Sequence, residues 1–196
     1  EPPRLSAHIE RWPIAGTFSI SRGSKTEAEV VVAEINHGGI TGRGECVPYA
    51  RYGESLQTTL STILSVQQRI TDGLDRRALQ TALPAGAARN ALDCALIDLE
   101  SKRAGARAWE VLGRQRPQPC TTAYTISLGS ADAMATAAAK AAHRPLLKIK
   151  LGSDDDVSRI VAVRRAAPRS QLIVDANEAW TDANLAVNIA ACADAG

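Results

Sequence analysis

Short strand patterns alternate with helical patterns over the second half of the chain, and this alternation constrains the fold more than any other feature. The strand patterns cover 121–128, 146–151 and 171–175, and the helical patterns cover 130–143, 154–167 and the residues from about 182 onward. Strands that alternate with helices at this spacing form βαβ units, in which successive strands lie parallel in one sheet. The sequence therefore predicts a run of βα units built on a parallel sheet.

The first half of the chain has a different pattern. Residues 4–50 carry β signals, with an apolar run at 29–35, turn residues at 37–39 and a return strand at 40–46. From about 55 to 104 the apolar residues recur at helical spacing, with a break at Pro84-Ala85-Gly86. A polar, proline-containing stretch near 105–119 then predicts a domain boundary. We therefore expect an α+β domain before the βα units.

Composition and charge indicate a globular protein with a small-molecule partner. The chain has 196 residues, of which 45% are hydrophobic and 22% charged, and its formal net charge is +2. Lys and Arg are spread along the chain without a dense basic run, which argues against a nucleic-acid partner. An apolar segment of the roughly 20 residues needed to span a bilayer is missing, as is a secretory signal pattern, so we expect a cytoplasmic protein without a membrane partner.

The cysteines predict neither a zinc site nor a disulfide framework. Cys46, Cys94, Cys120 and Cys192 are widely separated and form no CxxC or short Cys/His spacing. We expect four reduced thiols that are mostly buried.

Lys148 and Lys150 stand one residue apart within the strand pattern LLKIKLG. Residues i and i+2 of a strand point to the same face, about 6.5 Å apart. Two ammonium groups so close disfavour each other's charged form, which makes a lysine usable as a base near neutral pH. The pattern also fits two solvated lysines at a sheet edge, and the motif alone leaves both interpretations open.

Asp175 and Asn177 repeat the same spacing where the next strand ends. A carboxylate in this position suits Mg²⁺, which takes oxygen ligands. The alternative is an Asp/Asn turn that caps the following helix. Because α/β barrels build their active sites at the carboxyl ends of their strands, the two motifs together favour an active site.

Four motifs in order resemble those of a known family. They are GECVPYARYGES, PAGAARNALDCALIDLE, KIK and VDANEAW. With them the chain resembles the enolase superfamily, in its muconate-lactonizing subgroup, and most closely the L-Ala-D/L-Glu dipeptide epimerases, over essentially its whole length. The resemblance implies an α+β capping domain over 1–115, followed over 116–196 by the first three βα units of an incomplete (β/α)8 TIM barrel.

The activity that this resemblance implies is Mg²⁺-dependent epimerisation. The α-proton of a carboxylate substrate, a dipeptide such as L-Ala-L-Glu, would be abstracted through a metal-stabilised enediolate. The runner-up activities in the same superfamily are those of o-succinylbenzoate synthase and N-succinylamino acid racemase, which use similar lysines.

The resemblance also implies roles for individual residues. Lys150 would remove or return the α-proton, and Lys148 would hold the substrate carboxylate and keep Lys150 reactive. Asp175 would be the first of three Mg²⁺ ligands, and Asn177 would support it by hydrogen bonding.

Three further residues match positions that would contact the substrate. Thr125 lies in the strand TTAYTISL, Arg22 in the loop FSISRGSK and Tyr52 in RYGES. The two loops would close over the site from the capping domain and read the substrate's side chain.

The chain departs from the family after its third strand pattern. The family needs two more carboxylate ligands and an opposing lysine from later strands, and an eightfold barrel usually takes about 250 residues. We therefore expect the chain to be the N-terminal part of a longer enzyme, and to be inactive alone. A hypothesis of another class is a non-catalytic fragment that needs a complementing chain. Its unpaired sheet edge favours association, a homo-oligomer included.

Overall fold

The computed structural model describes residues 1–20, 23–152 and 154–196. The chain forms two compact units, one of Glu1–Trp12 with Glu27–Gln118 and the other of Pro13–Thr26 with Pro119–Gly196. The segment Pro13–Thr26 thus belongs with residues that lie about a hundred positions later in the chain, which no local pattern indicates. The division at 115/116 stays a prediction.

The sheet of the first unit is a hairpin with one further strand. Its strands are β1 (Arg4–Ile20), β2 (Gly23–His37) and β3 (Ile40–Cys46), in the order β1-β2-β3, and β1 and β2 also contribute residues to the second unit. β2 and β3 are antiparallel, with His37 opposite Ile40. Gly38 and Gly39 connect them at φ 60° and 80°, which is the backbone that a tight two-residue hairpin turn requires. The predicted hairpin is confirmed.

Helices follow this sheet in the chain, and all but the last of them contribute residues to the core that covers one of its faces. They are α1 (Leu56–Ser65), α2 (Gln67–Thr71), α3 (Arg76–Ala82), α4 (Ala87–Ala104) and α5 (Ala108–Val111). The residues that form the core between helices and sheet include the fully buried Val31, Ala33, Ile35, Ile63, Leu79, Ala91, Leu92 and Ala95. Their spacing on α4 is the helical period that the sequence shows.

Two glycines of β3 allow α4 to lie directly on the strand. A Cβ at Gly44 would lie 1.9 Å from the carbonyl oxygen of Ala91, and one at Gly42 would lie 2.2 Å from that of Ala95. Both distances are far below van der Waals contact, so backbone occupies the space that a side chain would need. This close approach explains the G-x-G spacing within a strand.

The second unit is built on a parallel sheet. Its strands β4 (Tyr124–Ile126), β5 (Leu146–Lys150) and β6 (Gln171–Asp175) lie in chain order, and both pairings are parallel, with Ile126 beside Ile149 and Lys150 beside Asp175. The helices α6 (Ala131–Ala141), α7 (Asp156–Ala166) and α8 (Leu185–Asp194) come after these strands in turn. Strands and helices alternate along this part of the chain, and β4 is shorter than the predicted strand pattern. Whether these are the first three units of a barrel stays a prediction.

The two faces of the parallel sheet differ in polarity. Leu147 and Ile149 of β5 are fully buried and belong to a core with Ile126, Ile160 and Val163. Lys148 and Lys150 alternate with them and therefore point to the opposite face. The core thus fixes which face carries the lysines.

The prediction that the cysteines are mostly buried is wrong. All four thiols are free, but Cys46 alone is buried, Cys192 is partly exposed, and Cys94 and Cys120 are exposed. Cys94 falls outside the apolar stripe of α4, and Cys120 lies in the stretch without helix or strand before β4. Burial is the main reason why the pKa of the Cys46 thiol is raised to about 11.

Across the ranges described, no helix is both long enough and apolar enough to cross a membrane.

Replacing Gly44 with Ala tests the close approach of α4 to β3. The added Cβ would meet helix backbone, which cannot swing aside, so we expect the free energy of unfolding to fall by about 1–3 kcal/mol or more. Gly129→Ala is the matched control, because its Cβ would meet Ala133 and Met134 at ordinary distances of 3.7 and 3.8 Å. Urea unfolding monitored by circular dichroism measures both variants. A G44A protein as stable as the control would contradict this packing.

Candidate active site

Two lysines and one aspartate meet at the carboxyl ends of β5 and β6. The Nζ atoms of Lys148 and Lys150 lie 2.9 and 2.8 Å from the same oxygen, Oδ2 of Asp175. The lysines share a face because they are two residues apart, and the parallel register places Lys150 directly beside Asp175. The structure therefore brings together the two motifs that the sequence suggested belong to one site.

The two lysines differ in exposure. The side chain of Lys150 is 10% exposed and that of Lys148 is 35% exposed. Burial of an ammonium group is unfavourable unless an opposite charge and hydrogen bonds compensate it. Asp175 supplies that charge to both, and Lys150 is the more enclosed of the two amines.

The lysines keep Asp175 ionised. Hydrogen bonds from Lys150 first, and then from Lys148, hold the pKa of the Asp175 carboxyl well below its usual range, although partial burial acts in the opposite direction. The backbone N–H of Asn177 adds a donor in the same sense. An anionic oxygen therefore faces the amines throughout the neutral pH range.

Asn177 links the aspartate to the buried lysine. Its backbone N–H donates to Oδ1 of Asp175 over 2.9 Å, and its side-chain Oδ1 accepts from Nζ of Lys150 over 3.1 Å. Asn177 and Glu178 have φ of 51° and 66°, a left-handed conformation that is uncommon outside glycine. Such conformations persist where surrounding contacts enforce them, and they concentrate at functional sites.

The other predicted site residues belong to different parts of the chain. Thr125 is half-buried on β4 and pairs in register with Lys148, so it lies on the lysine face of the sheet. Tyr52 belongs to the first unit, where the residue is 74% exposed and its ring centroid lies 6.1 Å from that of Tyr49. Arg22 lies outside the described residues.

Phe18 is a neighbour of the site that sequence reasoning missed. Its ring centroid lies 6.0 Å from Nζ of Lys150, at the outer limit for a cation–π contact. The backbone N–H of Leu128 donates to the carbonyl of Ser19 over 3.1 Å, which fastens this segment beyond the end of β4. Nothing in the sequence links residue 18 to residue 150, because the two lie 132 positions apart and local patterns do not relate residues at that separation.

Sequence reasoning also missed the contact between Asp156 and Trp180. The indole Nε1 of Trp180 donates to Oδ2 of Asp156 over 2.7 Å. Trp180 belongs to the VDANEAW motif, but Asp156 is the last of three consecutive aspartates, and no pattern distinguishes it from its exposed neighbours.

The described residues offer a hard cation one ligand and not a complete site. Within the ranges that the structure covers, no group of three or more His, Cys, Asp or Glu residues could hold a metal ion. Asp175 is the right kind of donor for Mg²⁺, an ionised carboxylate at the end of a strand, but Mg²⁺ needs several oxygen ligands.

Comparison with known proteins gives one matching family. Residues 5–113 match the family described as "Mandelate racemase / muconate lactonizing enzyme, N-terminal domain". Among curated proteins, the chain is 46% identical over 189 residues to the L-Ala-D/L-Glu epimerase of Escherichia coli strain K12. That match covers 95% of this chain and 59% of the relative.

Solved structures are similar over the whole chain. One is an enolase family member from Agrobacterium tumefaciens with homology to dipeptide epimerases, with bound sodium and L-Ala-L-Glu; it is 51% identical, with a TM-score of 0.93, over 99% of this chain and 60% of that one. Another is a dipeptide epimerase from Enterococcus faecalis V583 complexed with Mg and L-Leu-L-Tyr; it is 29% identical, with a TM-score of 0.86, over 99% of this chain and 59% of that one. The chain thus spans about three fifths of the length of these relatives.

The low pKa of Asp175 should depend on both lysines, and on Lys150 more. We expect Lys150→Gln to raise the pKa of the Asp175 carboxyl further than Lys148→Gln does, because Lys150 is the larger cause of the shift and its less exposed amine is less screened by solvent. Carboxyl ¹³C resonances recorded between about pH 2 and 6 measure the change.

The low pKa of Asp175 should also make the free energy of unfolding depend on pH, and a control variant is available. Because the folded-state pKa of Asp175 is depressed, the stability that its ionisation contributes is present above its unfolded-state pKa and is lost as pH falls through the folded value. Lys140→Gln, on the exposed side of α6, should leave the titration unchanged. An Asp175 titration identical in all variants would contradict the charge arrangement described here.

Proposed function

The chain belongs to the mandelate racemase/muconate lactonizing enzyme family, and from this premise we propose that it forms the N-terminal part of a Mg²⁺-dependent isomerase, an epimerase acting on a dipeptide such as L-Ala-L-Glu. The observation that carries the proposal is the contact of two lysine amines with one aspartate, within 2.9 Å, at the ends of neighbouring parallel strands. The epimerase relative and the dipeptide-bound structures support the same reaction class.

The fold proposed for this enzyme has two parts. Residues 1–115 form an α+β capping domain, and residues 116–196 form the first three βα units of a (β/α)8 barrel. The chain order β4-β5-β6 with parallel pairing supports this assignment, as does the position of the polar site at the carboxyl ends of the strands, where barrels carry their active sites.

Lys150 is the proposed base. In its neutral form its Nζ takes the α-proton of the substrate, the electron pair of the broken C–H bond moves into the adjacent carboxylate, and an enediolate forms. A base on the opposite face returns a proton and inverts the centre. The burial of Lys150 and its hydrogen bonds to Asp175 and Asn177 orient the amine and keep water away.

Lys148 is the proposed ligand of the substrate carboxylate. Its amine is more exposed than that of Lys150 but touches the same oxygen of Asp175. A positive group aimed at the oxygens where negative charge develops lowers the barrier to enediolate formation. Thr125, on the same face, would contact the bound dipeptide, and Arg22 and Tyr52 would contact its side chain from the capping domain.

Asp175 is the proposed first ligand of Mg²⁺, oriented by the backbone N–H of Asn177. When bound, the metal supplies further positive charge to the carboxylate oxygens of the substrate. The remaining ligands and the opposing base would come from residues beyond those of this chain, so the chain alone would be inactive.

Replacing Lys150 with Ala in the protein that includes the remaining barrel residues tests its role. We expect the rate of α-proton exchange from the epimer that Lys150 serves to fall by about 10²- to 10⁴-fold, because general-base catalysis is lost. Exchange from the other epimer should persist, since it depends on the opposing base. Proton NMR in D₂O monitors each epimer separately.

Lys140→Ala is the matched control, because it removes an exposed lysine of α6 from the same unit. Its exchange rates should equal those of the unmodified protein, and circular dichroism should show that both variants are folded. Unchanged exchange in K150A would remove Lys150 from the reaction.

A substrate panel tests the assignment to dipeptides. With Mg²⁺ present, we expect L-Ala-L-Glu and related dipeptides to exchange their α-protons in D₂O, and N-succinylamino acids and the precursor of o-succinylbenzoate to react much more slowly. The 196-residue chain, of verified mass, serves as the inactive control. Faster reaction of the succinyl compounds would favour the alternative activities, and robust turnover by the 196-residue chain would refute its proposed dependence on further residues.

A further inference from the structure

Asp156 is a buried carboxylate shortly beyond the strand that carries the lysines. It is the first residue of α7 and is 1% exposed. A charge in such a position is unfavourable unless hydrogen bonds surround it. Asp156 Oδ2 accepts from the backbone N–H of Gly152 over 2.9 Å and from the indole of Trp180 over 2.7 Å, and Oδ1 lies 3.3 Å from Nη1 of Arg159.

These partners, together with Gly129, which is bonded to Arg159, come from the segments after three different strands. Gly152 comes after β5 and Trp180 after β6. The Nε of Arg159 donates over 2.7 Å to the carbonyl of Gly129, which comes after β4. The five residues, which we call the Asp156 cluster, therefore join the loops at the carboxyl ends of all strands of the described parallel sheet (Gly129, Gly152, Asp156, Arg159 and Trp180).

Trp180 closes the turn that carries Asn177. Residues 176–180 leave β6 through the left-handed positions of Asn177 and Glu178, and the N–H of Ala179 bonds to the carbonyl of Ala176 over 3.1 Å. At its start the turn is held by Asp175 and Lys150 through Asn177. At its end it is held by Trp180, whose indole is bonded to Asp156. Two left-handed residues that are not glycine require such fixation at both ends.

Given the proposed function, we infer that Asp156 is a positioning residue for Lys150. By holding the indole of Trp180 it fixes the turn 176–180, and the turn keeps the side-chain oxygen of Asn177 within hydrogen-bond distance of the Lys150 amine. The effect of Asp156 on that amine passes through Trp180 and Asn177. A carboxylate suits this position because both of its oxygens accept hydrogen bonds. An amide has one acceptor oxygen, so its NH₂ group would face either Arg159 or the two donors Gly152 and Trp180.

The variants that test this inference remove the carboxylate charge or the indole donor with little change in volume. In the protein that includes the remaining barrel residues, we expect Asp156→Asn and Trp180→Phe to lower kcat for exchange of the epimer served by Lys150 by about 10- to 100-fold. KM should change by less than about threefold, because substrate contacts are retained. Exchange of the opposite epimer depends on Asp175, which Asn177 also holds, but not on Lys150, so it should fall by a clearly smaller factor.

This asymmetry separates positioning from general damage. A merely structural role would slow exchange of both epimers by the same factor, and that result would overturn the inference. If the two residues act through one hydrogen bond, the double variant should be no slower than the slower single variant. Additive losses would also overturn it. Trp109→Phe, on α5 of the first unit, is the matched control and should leave exchange unchanged.

An NMR measurement tests the same inference without activity. The indole N–H of Trp180 should exchange with solvent more slowly than that of Trp12, which is 54% exposed and bonded to Glu10. D156N should weaken this protection, because a neutral amide oxygen is a weaker acceptor than a carboxylate. The side-chain amide resonances of Asn177 should move in D156N and W180F but not in W109F. Asn177 resonances that keep the same chemical shifts in D156N and W180F would overturn the inference. Absence of exchange from every substrate in the unmodified protein would instead overturn the proposed function.

Discussion

The ion pairs of Asp175 with Lys148 and Lys150 are the contact on which the site depends. Two ammonium groups on one strand face repel each other, and the more buried of them could not stay there without a nearby anion. The parallel register supplies that anion from the next strand, at 2.8 and 2.9 Å. The strand pairing and the charge distribution therefore support each other, since a shift of one residue would send Asp175 to the apolar face.

The scaffold and the loops contribute differently to this arrangement. Alternating burial along β5 fixes the direction of the lysines, because Leu147 and Ile149 are held in the core under the helices. The position of Asn177 depends instead on a left-handed turn, which the Asp156 cluster fastens at its far end. Catalytic precision often requires both levels, a rigid sheet that carries the reacting groups and buried polar contacts that fix the loops.

Much of this could be predicted from the sequence, because it depends on short-range patterns. The helical and strand periods after residue 120 placed the helices and strands there to within a few residues, and the i, i+2 spacing placed Lys148 and Lys150 on one face. The motif resemblance matches the family to which the chain belongs. The cysteines show the limit, because exposure of a small residue such as Cys94 depends on which side of its helix is covered.

The amino-acid sequence by itself determined the order of strands and helices and the identity of the groups that share a strand face, because backbone periodicity is a local property. Only the tertiary structure decided that Phe18 reaches Lys150 and that Asp156, among three adjacent aspartates, is buried and bonded to Trp180. Those contacts join residues 24 to 132 positions apart. At such separations many pairs of chemically similar side chains could in principle meet. The packing of the whole chain decides which of these contacts form, and no local pattern indicates it.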